Sequence, residues 1–341
     1  MRAVAFHEHG GPEVLRLEER PRPEPGRGEV LVEVRAVGLN HLDLWVRRGL
    51  PIEIEMPHIG GSDLAGVVAA VGEGVERVEG GERVVVNPAL GCGRCSWCAG
   101  GEVSLCADFK IIGEHLNGGL AEYALAPAGN VYRLPDSLSF EQAAGLPVSY
   151  QTAWRALLTR ARLRPGEDVL VLGGSGGTAI ASVQIAKLAG ARVFAVTSGA
   201  GNVRRVRELG ADFVYDRTSE DFSRAVYRDT GKRGVDVVVE NVGTATWTGS
   251  MRALARGGRL VTYGATSGAE ASLDLRQLYW RQLEVIGTTM ASVPEFEAVL
   301  RASFRGGLTP VIAKTFPLEE AARAHRYLEE GRQFGKVIIV L

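Results

Sequence analysis

The four cysteines of this chain fall within fifteen residues, Cys92-Gly-Arg-Cys95-Ser-Trp-Cys98 followed after seven residues by Cys106. Thiolates spaced C-x2-C-x2-C-x7-C can close a tetrahedral shell around one zinc ion. A shell of four sulfurs leaves no open position, so that zinc would hold structure and carry out no chemistry. The reaction must come from other residues. A second constellation offers a place for it. The apolar run Val169-Leu-Val-Leu172 leads into Gly173-Gly174-Ser175-Gly176-Gly177-Thr178-Ala179 and then into a helical pattern. Gly174-x-Gly176-x-x-Ala179 fits the G-x-G-x-x-G/A string of a dinucleotide loop. On this reading Gly174 permits the tight turn, Gly176 lets backbone approach the pyrophosphate, and Ala179 lets the helix pack close to the strand. Ser175, Gly177 and Thr178 complete the loop, and the first helical turn offers free N–H groups to the phosphates.

The end of the next strand bears on which dinucleotide binds. An NAD site carries Asp or Glu about twenty residues on, to accept from the ribose 2′-OH. Here Ala195-Val196 is followed by Thr197-Ser198-Gly199, and Arg204 and Arg205 come soon after. Without the carboxylate a 2′-phosphate is not repelled, and the hydroxyls or Arg204 are candidates to bind it. The local reading favours NADP over NAD. The competing role for the arginines is a solvated helix face.

These residues need elements to hold them. Residues 1–148 read as turn-rich β structure. Met1–Phe6 is a first strand with no signal-peptide pattern, and Glu29–Val37 alternates as a half-buried strand. Leu64–Val71, Arg83–Val86 and Leu120–Leu125 continue the pattern, while Pro21 to Pro25 is a loop. Ser139-Phe-Glu-Gln142 opens a helix with a capping pair. From Asp168 the texture alternates. Apolar strands at Val169–Leu172, Val193–Val196, Phe213–Tyr215, Val235–Val239, Arg259–Gly264 and Leu283–Ile286 are separated by helices such as Ile180–Leu188 and Val203–Leu209. That alternation predicts a doubly wound parallel sheet covered on both faces. Helices at Glu295–Ser303 and Leu318–Glu330 and a strand at Lys336–Val340 follow.

Composition bounds the partners. A net charge of -1 over 341 residues gives no basic field for nucleic acid or an anionic membrane. No apolar run approaches ~18 residues, the length that would suggest a membrane span. Thiols without a disulfide framework suit a reducing, cytoplasmic setting.

Taken together, these motifs resemble the medium-chain dehydrogenase/reductase superfamily of zinc alcohol dehydrogenases and quinone oxidoreductases, over essentially the whole chain. The cysteine run, lying just before Gly118-Gly-Leu-Ala-Glu-Tyr123, is similar to the family's structural zinc lobe. The resemblance implies a GroES-like β-rich domain over 1–148 with its lobe at 92–106, a Rossmann domain over 149–290, and a return of 291–341 to the first domain. It also implies where a catalytic zinc would bind, and there the pattern breaks. The C-H-T-D motif of the dehydrogenases stands here as Asn40-His41-Leu42-Asp43. Their G-H-E-x-x-G segment is Gly61-Ser62-Asp63-Leu64-Ala65-Gly66, and their third ligand matches Val148, four residues before Thr152. Asn, Ser and Val do not make a zinc shell. His41, His58, Asp63 and His115 have no standard ligand spacing. Asn40 and Asp43 are similar instead to the G-x-N-x-x-D motif of the zinc-free quinone oxidoreductases.

From the resemblance come roles. Asn40 would position groups beside the nicotinamide, Asp43 would orient His41, and His41 would touch the pyrophosphate. Tyr150 and Thr152 would lie where the linking helix meets the nicotinamide. Tyr150 reads as either a proton donor or a buried aromatic with a satisfied hydroxyl. Trp45, Trp154 and Tyr279 would wall the substrate slot or pack the core. Asn241, Gly243, Gly264 and Ala265 follow strands at the sheet edge where cofactors bind. The leading expectation is NAD(P)H-dependent hydride transfer to a quinone or α,β-unsaturated carbonyl without catalytic zinc. An alcohol dehydrogenase with a non-standard metal site and an NADPH-binding protein with little turnover are the alternatives. The strand Leu283–Gly287 would pair across a two-fold in a homodimer or homotetramer.

Overall fold

A computed structural model describes residues 1–341. The chain forms two compact units, Tyr150–Met290 and the pair of segments Met1–Ser149 and Ala291–Leu341. No helix is long and apolar enough to cross a membrane.

Apolar strand runs in Tyr150–Met290 form a six-stranded, all-parallel sheet. Its order across the sheet is Phe213–Asp216, Arg192–Thr197, Asp168–Val171, Val235–Glu240, Leu254–Thr262 and Glu284–Gly287. Numbered along the chain, that is 3-2-1-4-5-6, the doubly wound order, with its reversal between Asp168–Val171 and Val235–Glu240. The fifth strand begins at Leu254, earlier than the expected Arg259, because Leu254 already pairs with Val235; the strand then bulges through Gly257, at φ 71°, before the ladder resumes at Val237↔Arg259. Helix Gly177–Leu188 buries Ala179, Ile180, Val183 and Ala186, the i, i+1, i+4, i+7 stripe that seats it on the sheet. Phe194 and Phe213 stack at 4.7 Å on the buried strands. Glu284–Gly287 is an edge strand, and Leu275, Tyr279, Trp280 and Val285 stand exposed beside it. Tyr279 therefore sits on an outer apolar patch.

The other unit is built on a seven-stranded sheet. Glu29–Leu39 pairs antiparallel with Asp63–Val71, with Tyr123–Pro127 and with the last strand, Lys336–Val340. The expected strand at Leu120–Leu125 starts instead at Tyr123. Gly119 and Leu120 first donate their N–H groups to the carbonyls of Gly61 and Gly60, so this stretch serves a loop before it joins the sheet. Ser139 caps Phe140–Ala144 with Gln142 as its reciprocal partner. The expected helix Leu318–Glu330 is a short 3-10 turn, Leu318–Glu320, followed by helix Ala321–Glu329. The register Gly38↔Asp63 on one side and Gly38↔Ile338 on the other matters most for function, because it sets three distant segments side by side.

Candidate functional site

Strand Glu29–Leu39 ends at Asn40, which starts helix His41–Arg48. Asp43 Oδ2 accepts from Asn40 N at 2.7 Å, a capping contact that satisfies one orphan N–H of the helix start. Asp43 Oδ1 accepts from Gly61 N at 3.0 Å. Burial pushes the Asp43 carboxyl up to about 6, against the lowering effect of its bond from Asn40. The sequence reading had Asp43 orienting His41; the structure shows it fixing the helix start and the Gly61 loop.

Lys336 completes this cluster. Its ammonium is 3% exposed and donates to Asn40 Oδ1 at 2.6 Å and Asp63 Oδ2 at 2.9 Å. Asn40 Nδ2 donates to Asp63 Oδ2 at 3.0 Å and Gly38 O at 3.3 Å. Asp63 Oδ1 accepts from Val148 N at 2.8 Å. Every polar atom of the Asn40 side chain is thus engaged inside the protein. Gly38 makes room for the arrangement, since a Cβ there would lie 2.1 Å from Ala144 O and 3.1 Å from Lys336 Cε. Asn40, Asp63 and Val148, which belong to the segments where the resemblance would put zinc ligands, do meet in space. They present an amide, a carboxylate already bound to an ammonium, and an isopropyl group. Ser62 lies beside them, fully buried, and its Oγ has no partner. This donor set does not fit a catalytic zinc. Burial and the Lys336 charge hold the His41 imidazole below its ordinary pKa, so it is neutral at pH 7.

Helix His41–Arg48 is anchored from beneath by Arg47, whose side chain is fully buried. Its Nε donates to Gly10 O at 3.1 Å, Nη1 lies 3.2 Å from His325 Nδ1, and Nη2 pairs with Glu329. Burial, with Arg47 adding to it, drives the His325 pKa down to about 3. The unfolded chain takes up this proton near pH 6.5 and the folded chain does not. Stability from this site is therefore complete above pH 6.5 and is lost progressively as pH falls toward 3. We expect urea denaturation to show wild-type stability dropping by roughly 2–3 kcal/mol between pH 7 and 4.5 from this group. His325→Leu should lose that part of the slope, and an unchanged slope would refute the assignment.

In the parallel-sheet unit the glycine loop follows strand Asp168–Val171, and Gly176 is the N-cap of helix Gly177–Leu188. The positive φ of the tight turn falls on Gly173, at 69°, and not on the expected Gly174. Gly174 is instead held against the next strand, where an added Cβ would lie 3.2 Å from Val196 O. Ser175, Gly177 and Thr178 stand in the loop and first turn, with Ala179 buried behind them. Two buried polar atoms nearby have no partner: Thr197 Oγ1 and Asn241 Oδ1. A Cβ on Gly173 would come within 3.0 Å of the latter. An open glycine cradle lined by orphan acceptors and donors fits a dinucleotide. Gly243, at φ 89°, passes under Gly268 O, and Gly264 packs over Asn241. Ala265 lies on the Gly243 backbone.

Arg204 and Tyr150 stand in contrasting surroundings. Arg204 projects outward, with its side chain 77% exposed, 4.0 Å from Glu208. The cation at Ser198 is Arg217, whose Nε donates to Ser198 Oγ at 2.7 Å. Tyr150 is buried and its hydroxyl donates to Gln184 Oε1 at 3.1 Å, with burial raising its pKa. That matches the satisfied-aromatic reading. Thr152 is buried, with its hydroxyl 3.9 Å from Met290 Sδ.

The sulfurs of Cys92, Cys95, Cys98 and Cys106 lie within 4.8 Å of one another, as a tetrahedral zinc shell requires. Cys98 N donates to Cys95 Sγ and Cys92 N to Cys106 Sγ, at 3.5 and 3.4 Å. Residues 92, 95, 98 and 106 therefore fit one structural zinc.

Residues 26–136 match the alcohol dehydrogenase GroES-like domain, and residues 209–339 match the zinc-binding dehydrogenase family. The quinone oxidoreductase of Rattus norvegicus is 32% identical across all of this chain and 98% of its own length. The NAD-dependent alcohol dehydrogenase of Sulfolobus acidocaldarius is 34% identical over 99% of each chain. A crystal structure described as an NAD-dependent alcohol dehydrogenase superposes with a TM-score of 0.97 over the whole of both chains, at 45% identity.

Proposed function

This chain belongs to the medium-chain dehydrogenase/reductase superfamily and is an NAD(P)-dependent oxidoreductase, and from that premise we propose that it reduces quinones or α,β-unsaturated carbonyls without a catalytic zinc. The observation that carries this reading is the Lys336 ammonium bonded to Asn40 and Asp63. It fills with fixed charge the cluster where a metal would need free thiolate, imidazole or carboxylate donors. Alcohol oxidation without a Lewis acid lacks several kcal/mol of charge stabilisation. A conjugated acceptor spreads the incoming charge onto a distant oxygen, which needs only hydrogen-bond donors and a proton. NAD(P)H supplies the hydride. The glycine loop and the start of Gly177–Leu188 would hold the pyrophosphate. Asn40 and Asp43 act as positioning residues that fix the start of helix His41–Arg48 and keep the neutral His41 in place. The rat quinone oxidoreductase is a relative consistent with this reading. The likeness to NAD-dependent alcohol dehydrogenases favours the second reading, alcohol–aldehyde interconversion.

The test is consumption of NADPH and NADH against quinones, enones, aldehydes and alcohols, with and without a chelator. Turnover of enones or quinones that survives chelation is the expected result. Alcohol oxidation abolished by chelation, with two zinc ions per chain, would overturn it.

We assign the 2′-phosphate of NADP to Ser198 and Arg217. A charged hydrogen bond is worth about 1.5–3 kcal/mol. Arg217→Ala should therefore raise KM for NADPH roughly 10- to 100-fold and leave KM for NADH nearly unchanged. Equal losses with both cofactors would sink the assignment. The exposed edge Glu284–Gly287, with Leu275, Tyr279 and Trp280 beside it, supports pairing of two copies through that strand.

A further inference from the structure

We propose that Asn241 reads the second ribose of the dinucleotide: its Oδ1 accepts a hydrogen bond from a hydroxyl on the nicotinamide side, and Tyr263 is the positioning residue that keeps this oxygen facing the glycine loop. The role rests on the dinucleotide reading of that loop and not on the choice between quinone and aldehyde. Every residue it uses lies within Tyr150–Met290.

A chain of hydroxyls fixes the polarity of the Asn241 amide. It starts at Thr178 O, a carbonyl that can only accept. Ser182, one turn further along helix Gly177–Leu188, donates its single side-chain proton there at 2.8 Å. Ser182 Oγ is also hydrogen-bonded to the Tyr263 hydroxyl. With the serine proton committed, Tyr263 is the donor in that bond. The tyrosine proton is then in use, so its oxygen takes the next bond as an acceptor. Asn241 Nδ2 supplies that bond at 3.3 Å. Turning the amide over would set Oδ1 against an oxygen with no proton to give. The amide therefore has one orientation, with Nδ2 toward Tyr263 and Oδ1 toward Gly173, where an added Cβ would lie 3.0 Å from it. That oxygen is buried and has no partner.

The Asn241 backbone is held as firmly as the amide. Glu240, fully buried, accepts from Val242 N at 2.8 Å and Gly243 N at 3.1 Å. Thr266 N donates to Asn241 O at 3.3 Å. An acceptor fixed in this way does not turn to find a donor within its own unit, so the ligand must bring one. Phosphates have no proton to offer at neutral pH, and sugar hydroxyls do. Sheet order says which sugar. Strand Asp168–Val171, which leads into the loop, lies between Arg192–Thr197 and Val235–Glu240. With the adenosine-side ribose at Ser198 and the pyrophosphate on the loop, the part of the ligand above the end of Val235–Glu240 is the second ribose. Two strand spacings, about 10 Å, separate the two strand ends, a step that one pyrophosphate bridges between two sugars.

The experiment measures Kd for ADP, ADP-ribose and NADH by calorimetry on the zinc-loaded full chain. ADP ends before the second ribose, and ADP-ribose carries it without nicotinamide. Asn241→Leu should weaken ADP-ribose and NADH roughly 5- to 10-fold and leave ADP within about twofold of wild type. Tyr263→Phe frees the amide to rotate, and should weaken the same two ligands roughly threefold while sparing ADP. A merely structural role for either residue would weaken all three ligands alike, or none. Wild type should bind an NADH analogue lacking both hydroxyls of the nicotinamide-side ribose roughly 5- to 10-fold less tightly than NADH, and Asn241→Leu should bind the two equally. An Asn241→Leu protein that loses ADP as strongly as ADP-ribose, or that keeps ADP-ribose at wild-type affinity, overturns the assignment and leaves the dinucleotide reading intact. If a variant does not fold, the analogue decides on wild-type protein alone, since equal affinity for NADH and its dehydroxylated form overturns the assignment too. A wild type that binds neither NADH nor ADP-ribose removes the dinucleotide reading and this role together.

Discussion

Replacing Lys336 by methionine should destabilise the protein by about 3–5 kcal/mol, the cost of stranding a buried carboxylate without its cation. The partner left behind is Asp63, fully buried and bonded also by Asn40 Nδ2 and Val148 N. Those neutral donors cannot offset a whole negative charge in a site that excludes water. Asp43 sits in the same cluster and is already raised by burial and by Asp63, with Lys336 among the groups holding it down. Removing the ammonium takes away that restraint, so Asp43 should be driven further toward its protonated form. A loss of this size corresponds to a drop in melting midpoint on the order of 10 °C. The second half of the prediction separates charge from packing. Lys336→Met combined with Asp63→Asn should regain at least half of the lost stability, because no unpaired charge remains. Urea denaturation of the four proteins of this double-mutant cycle measures it. A single variant within 1 kcal/mol of wild type, or a double variant no better than the single, would show that the ammonium is not paired in this way.

What the sequence made legible follows how far apart the interacting residues lie. The dinucleotide loop is local: a strand, four glycines and a helix within about twenty residues, each position readable from steric need. Its one misplacement, the positive φ at Gly173 in place of Gly174, is a shift of a single peptide unit in a run where every candidate was glycine. The zinc lobe was equally local, because thiol spacing determines which sulfurs can converge. The sequence also led to the expectation that Asn40, Ser62 and Val148 stand where the resemblance puts zinc ligands. The cation that bonds Asn40 and Asp63 was not legible. Lys336 reaches Asn40 across 296 positions of sequence, through a strand pairing no local pattern specifies. A faint signal existed: the chain has only five lysines, so one at the start of the last apolar strand was unusual. Arg217 was missed for a related reason. Register Thr197↔Asp216 brings the end of one strand beside the end of the next, and the cation that meets Ser198 comes from that neighbour. Arg204, closer in sequence, sits on a helix face that turns to solvent. Asp43 was read as a partner of His41, but Asn40-x-x-Asp43 carries its own local meaning, a reciprocal helix cap.

Purified protein should contain one zinc per chain, and Cys106→Ser should reduce that to none. Cys106 is the most buried of the four sulfur ligands and sits at the far end of the loop that the metal would close. Within the lobe, regular structure is limited to one short helical turn, Ser96–Ala99, one 3-10 turn, Val103–Leu105, and the two-residue strand Ala89–Leu90 at its border. So little hydrogen-bonded structure cannot order these residues without a crosslink, and in small zinc folds the metal contributes the folding energy outright. The lobe is tied to the rest of its unit where Val293 N donates to Gly101 O at 3.0 Å, just before helix Val293–Phe304. Loss of zinc should therefore loosen residues 91–109 first and fray the start of that helix second. Limited proteolysis should cut the Cys106→Ser protein within this stretch while the wild type resists, and the melting midpoint should fall by roughly 5–10 °C. Turnover at room temperature should stay within about threefold of wild type, because four sulfur ligands leave the metal no position for substrate or water. Metal analysis, protease mapping and rate measurement on the same preparation decide it. Two zinc ions per wild-type chain, or activity abolished in a variant whose melting point is unchanged, would place a metal in the reaction itself.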